Sequence, residues 1–121
     1  MDEPLLFPCS HGEDDPERAT VPFIAAATAA AAGRNAVVVC TVEAVWLGLP
    51  GHVERVADEG LPAVADLQRH LVDGGGSIWL CSACTTKRGI TGDVPLVPGA
   101  RIVGAATIVE ALAQGRAITL A

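Results

Sequence analysis

The sequence has no tyrosine and only two phenylalanines, two tryptophans and one methionine in 121 residues. Its core must therefore come from alanine, valine, leucine and isoleucine. Small side chains let elements approach closely but bury little area each. Such a core gains from self-association, because a second copy supplies further burial. Cations are also few, with eight Lys and Arg against fourteen Asp and Glu for a net charge of -6. They are scattered rather than striped, which argues against nucleic-acid backbones and anionic membrane surfaces as partners. The longest apolar run, "VPFIAAATAAAAG" at residues 21–33, is too short to span a bilayer. The opening "MDEP" is acidic where a secretory signal is positive. A cytoplasmic location is expected, and there the four cysteines stay reduced. No GxGxxG or P-loop occurs, and "SHGEDDPE" (10–17) would repel a phosphate. No cofactor is expected, nucleotide or other.

What is present reads as one domain, residues 1–121, of alternating strands and helices. "PLLFPCS" (4–10) is a first strand. Asp15 is a suitable N-cap for a helix with Pro16 at its first position, and Gly33 closes that helix. Pro22 predicts either a restart after Thr20 or a kink costing about 3 kcal/mol. "NAVVVCTV" (35–42) is a continuous apolar run, the mark of a strand covered on both faces. "EAVWLG" (43–48) is short and helical or irregular, and 49–60 reads as a loop with little core of its own. Residues 61–75 form an amphipathic helix with Leu61, Val64, Leu67, Leu71 and Val72 on one face. "SIWLC" (77–81) is a third strand, 82–89 a short helix capped by Ser82, 101–105 a strand, 106–115 a helix and 116–121 a last strand. This alternation predicts an α/β three-layer sandwich around a five-stranded, mostly parallel sheet, with flavodoxin-like element order.

In such sheets, sites form beyond the carboxyl ends of the strands. Cys9, Cys40 and Cys81 fall at or near three strand ends, and Cys84 lies one turn into the following helix. His11 and Glu43 follow the first two strands. Orphan N–H groups at a helix start favour an anion, and Lys87 and Arg88 follow Cys84 at i+3 and i+4. Both effects lower a thiol pKa from about 8.5. Cys81 and Cys84 are thus the candidate reactive thiols, with Lys87 and Arg88 as thiolate-stabilising cations. Cys9, His11, Glu43 and Trp46 are candidates for the pocket wall. Cysteine is also common core filler, so a binding module with inert thiols is an alternative. A zinc site is another, with Cys9, His11 or Cys40 completing the Cys81/Cys84 half-set, although no second close pair occurs. His52 and His70 read as surface or helix-face residues.

Four blocks in order resemble the DsrE family, also called DsrE/F-like or YchN-like. They are "SHGEDDPERATVPFIAAATAAAAG", "VEAVWLGLPG", "GLPAVADLQRHLVDGGGSIWLCSACTTKRGI" and "PGARIVGAATIVEAL". The resemblance implies a three-layer sandwich and a homo-oligomer, a trimer or a hexamer of stacked trimers. It also implies sulfur-relay chemistry, with a persulfide carried on a cysteine after the third strand and passed to a partner. Cys81 matches the carrier of the sulfurtransferase branch, and Cys84 the cysteine common in stand-alone members. The function expected is a persulfide carrier or sulfurtransferase-type thiol protein with a protein donor or acceptor of sulfur.

Overall fold

The valine run at residues 35–40 sets the architecture. Successive strand side chains point to opposite faces, so a strand that is apolar throughout needs cover on both. In the computed structural model, which describes residues 3–121, this strand sits at the centre of the sheet. Met1 and Asp2, which begin the acidic opening, lie outside the described residues.

The elements are β1 (Pro4–Cys9), α1 (Pro16–Ala31), β2 (Asn35–Cys40), α2 (Val64–Asp73), β3 (Ser77–Cys81), α3 (Ser82–Lys87), β4 (Ala100–Val103), α4 (Ala105–Gln114) and β5 (Arg116–Ala117). Five strands pair in the order β4-β3-β2-β1-β5, every pairing parallel. The expected α/β sandwich is therefore found. The chain steps from β1 to β4 in one direction, and α4 then returns it across the sheet to β5.

Alternation divides the apolar side chains into two cores of unequal size. Phe7, Cys9, Ala36, Val38, Cys40, Ile78 and Leu80 join α1 and α2 in the larger one. Leu6, Val37, Val39, Trp79, Val103 and Ala111 form the smaller one, under α4 alone. Arg101 lies over the Trp79 ring at 5.3 Å and covers part of that thin side.

Several local expectations need adjustment. Asp15 does cap α1, its side chain accepting from the Arg18 N–H, but the helix runs unbroken through Pro22. The carbonyl left without a donor there belongs to Arg18, an exposed residue that solvent can serve. The stretch 49–60 has core after all: a short 3-10 turn, Val53–Arg55, presents Val53, and Val56 follows, both buried. The last strand stops at Ala117, which is level with Leu6, although β1 itself continues to Cys9. Finally, the N-cap position of α3 is Cys81, not Ser82.

Candidate functional site

Three strand ends bring the cysteines to one edge. Cys9 and Cys40 are in register on β1 and β2. Cys40 pairs with Leu80, so Cys81 stands one residue farther out. They share an edge but not a face. Cys9 and Cys40 follow the parity of Phe7 and Val38 into the larger core, whereas Cys81 follows Trp79 toward the thin side. Cys9, expected in a pocket wall, is instead inside the core, 2% exposed. Its Sγ approaches the carbonyls of His11 and Ala19 at 3.5 and 3.6 Å. Burial pushes the Cys9 thiol up to about 12. Burial first, and then the neighbouring Cys9, raise Cys40 as well. Both stay protonated at neutral pH.

Cys81 and Cys84 are half-buried free thiols. Cys81 sits at the strand–helix junction with extended backbone (φ -64°, ψ 123°) and makes no capping hydrogen bond of full geometry. Even so, its thiol is lowered from the ordinary cysteine value. Partial burial pulls it upward, but the Cys84 N–H, the Cys84 thiol and the Ala83 N–H together outweigh burial. Neither Lys87 nor Arg88 is among these causes, so the expected role of the two cations as thiolate stabilisers is not what lowers Cys81. Lys87 is exposed.

Arg88 is engaged elsewhere. Its Nε donates to Glu43 Oε2 at 2.9 Å and its NH1 group to the Cys84 carbonyl at 3.2 Å. That carbonyl lies in the last turn of α3, where the helix supplies no further donors. Glu43 reaches Arg88 from the 3-10 segment Val42–Gly48. Val42, at φ 52°, is the one non-glycine residue with positive φ among the described residues. A β-branched residue there costs on the order of 1–3 kcal/mol and persists where its surroundings over-determine it. The surroundings here are specific. Gly12 lies against the Glu43 carbonyl, where an added Cβ would come within 2.8 Å. On the far side Gln68, buried in α2, donates to the Leu47 carbonyl at 2.8 Å. Sequence reading missed Val42, Gly12 and Gln68 as members of this site. Glu43 and Arg88 are 45 positions apart, and no local pattern announces their pairing.

The remaining candidates spread out around this edge. The His11 Nδ1 is 3.0 Å from Asp14 Oδ2, and Asp14 also accepts from the Gly12 N–H. Trp46 packs on His52 with ring centroids 4.7 Å apart, which brings in a histidine read as mere surface. His70 is exposed on α2. Among the described residues no three His, Cys, Asp or Glu side chains gather as a metal-ligand set. Cavities of about 560, 400 and 760 Å³ open under α4, beside α2 and beside α1, and none has Cys81 or Cys84 in its wall. The thiol turn is thus an accessible edge rather than the floor of one of these cavities. No helix among the described residues is long and apolar enough to cross a membrane.

Comparison with solved structures finds the same fold in several chains, among them the following two. The crystal structure of the YchN protein from E. coli matches with a TM-score of 0.79 at 20% identity, covering 99% of this chain and 100% of that one. The structure of MTH1491 from Methanobacterium thermoautotrophicum, a protein described as of unknown function, matches with a TM-score of 0.74 at 18% identity, covering 98% and 100%. At such identities the likeness speaks to fold alone. No curated protein matches the chain in sequence. The model of the DsrE/DsrF-like family, however, matches residues 4–120, nearly the whole domain, with the cysteine turn inside it, and the chain belongs to that family.

Proposed function

We propose that this protein carries sulfur as a persulfide on Cys81, with Cys84 as the second thiol of the same site. The observation behind this reading is Cys81 itself: accessible at the strand end, held below the ordinary cysteine value, with Cys84 one turn away. A thiolate is the attacking form in sulfur exchange. The Cys81 thiolate attacks a sulfane sulfur of a polysulfide. The donor's S–S bond breaks, the shortened polysulfide leaves as the anion, and Cys81 keeps one extra sulfur. An acceptor thiolate that attacks this terminal sulfur releases Cys81 as a thiolate. Attack by Cys84 on the inner sulfur instead expels hydrosulfide and leaves a Cys81–Cys84 disulfide, which a dithiol reductant resets.

The test is intact mass after exposure to polysulfide, with peptide mapping of the adducts. The expected result is a gain of one sulfur on Cys81, lost in Cys81→Ser and retained in Cys9→Ser. Normal loading in Cys81→Ser would sink the assignment.

Self-association belongs to the same reading. The smaller core has only α4 over it, and that helix shows Val109 (62% exposed) and Leu112 (45% exposed) to the outside, three residues apart. A second copy placed there would bury both. Leu112→Glu is expected to reduce the mass measured by light scattering to that of one chain, and a monomeric parent protein would overturn this part.

A further inference from the structure

Arg88 is a poor candidate for a roaming surface charge. Its side chain is only 13% exposed, and its guanidinium is shared between a carboxylate and a backbone carbonyl. The carboxylate, Glu43, comes from the segment that leaves β2. The carbonyl belongs to Cys84, in the helix that leaves β3. One side chain thereby ties the helix that carries Cys84 to the segment that follows β2. The β2 loop, which contains the left-handed Val42, is itself held at two places, by Gly12 against the Glu43 backbone and by Gln68 on Leu47. Val42 is exposed, so burial of its own side chain does not explain why the chain keeps a disfavoured backbone there. Val42 directly precedes Glu43, whose carboxylate meets Arg88.

We propose that Glu43 and Arg88 form a positioning latch that holds α3 against the β2 loop and so fixes the orientation of the Cys81/Cys84 turn. The latch rests on the reading of these cysteines as the reactive thiols, and its residues act through geometry rather than by touching sulfur. A planar guanidinium is suited to the task because it can bond the carboxylate and the carbonyl at once, which an ammonium on a flexible stem does poorly.

The experiment follows alkylation of Cys81 and Cys84 in the full chain, mapped thiol by thiol over about pH 5 to 10, in the parent protein, Glu43→Gln, Arg88→Ala and Arg88→Lys. Loss of the latch is expected to move the Cys81 profile to higher pH by about one unit, a tenfold drop in rate at neutral pH. Glu43→Gln and Arg88→Ala should both show it, and Arg88→Lys should resemble Arg88→Ala. Profiles that superimpose on the parent overturn the latch, as does full rescue by lysine, which would mean that charge alone suffices. A lowered melting temperature with unmoved profiles overturns it too, because that is the signature of a merely structural ion pair. Should Arg88→Ala fail to fold, Glu43→Gln, nearly isosteric, carries the test. Sulfur uptake separates the two readings. A parent protein that alkylates at Cys81 but takes up no sulfur defeats the persulfide carrier and leaves the latch standing. Normal uptake with unshifted variant profiles defeats the latch alone.

Discussion

Cys9 and Cys40 end neighbouring strands in register. Cys81 ends the next strand over, and Cys84 follows one turn later. All four occupy the same edge of the same sheet, yet the first two are fully buried and the second two only half-buried, Cys84 at the border of the larger core. Parity and reach separate them. Cys9 and Cys40 project with Phe7 and Val38 into the side that α1 and α2 cover. On β3 the positions facing that side are Ile78 and Leu80, so Cys81 projects the other way, one residue beyond the level of Cys40. A shift of one position along a strand reverses the face. Here it also changes what a thiol can do, because burial holds the proton on one pair while backbone N–H groups help to remove it from Cys81.

The sharpest way to break this contrast is to count thiols by reactivity. In native protein at neutral pH, Cys81 should be alkylated faster than Cys9 or Cys40 by roughly a thousandfold or more, since a thiol near 12 is almost never ionised. Mass spectrometry after a short pulse of iodoacetamide would show it, with all four sites labelled once denaturant is added. Comparable labelling of Cys9 in the native state would erase the distinction.

Alkaline stability probes the buried pair from the other direction. Its thiols have raised folded values, so their contribution is fully present below the unfolded value of about 8.5 and is lost as pH climbs toward the folded one. Between about pH 8.5 and 12 the unfolded chain sheds a proton that folded Cys9 keeps, which lowers stability by about 1.4 kcal/mol per pH unit, and Cys40 acts in the same direction. Urea unfolding across this window should give a steep fall for the parent and a shallower one for Cys40→Val. Cys81, with its lowered value, has the opposite sign and does not produce this loss. Equal slopes in parent and variant would remove the buried pair as the cause.

One substitution made in both places gives a smaller reading of the same difference. Cys40→Ser puts a hydroxyl at a fully buried position of the larger core, and an unpaired buried hydroxyl costs about 1–3 kcal/mol. Cys81→Ser, at the accessible turn, should stay within about 0.5 kcal/mol of the parent in thermal unfolding. Matching losses at the two positions would mean that Cys81 is packed as a core residue.

Much of this was legible beforehand, and the limit falls along a physical line. The bounds of β3, Ser77–Cys81, agree with its apolar run, and the Asp15 cap agrees with local chain chemistry, because both are decided by neighbours in sequence. The placement of three cysteines at strand ends followed from the same alternation. Parity is equally legible in "SIWLC", where Cys81 shares the face of Trp79 rather than that of Leu80. The helix start was misplaced by one residue, since Ser82 is the better intrinsic cap and the strand ends directly at Cys81. The Glu43–Arg88 pair, the left-handed Val42 and the Gln68 bond were out of reach. Each depends on segments joined only by the fold, and no spacing rule links position 43 to 88 or 47 to 68.

The finest distinction concerns Lys87, which follows Cys84 at the spacing that places two side chains on one helix face. Sequence spacing alone assigns it a share in stabilising the thiolate. In the structure it is exposed at the end of α3, and the influences that lower Cys81 are the two N–H groups and the neighbouring thiol. An exposed ammonium acts through water and salt, and such pairs contribute little. Lys87→Ala should therefore change the Cys81 alkylation rate at neutral pH by less than about twofold, with little dependence on ionic strength between low and physiological salt. A tenfold drop that added salt abolishes would restore the cation to the site. It would also place the reactivity of this edge in long-range charge rather than in the backbone of the turn.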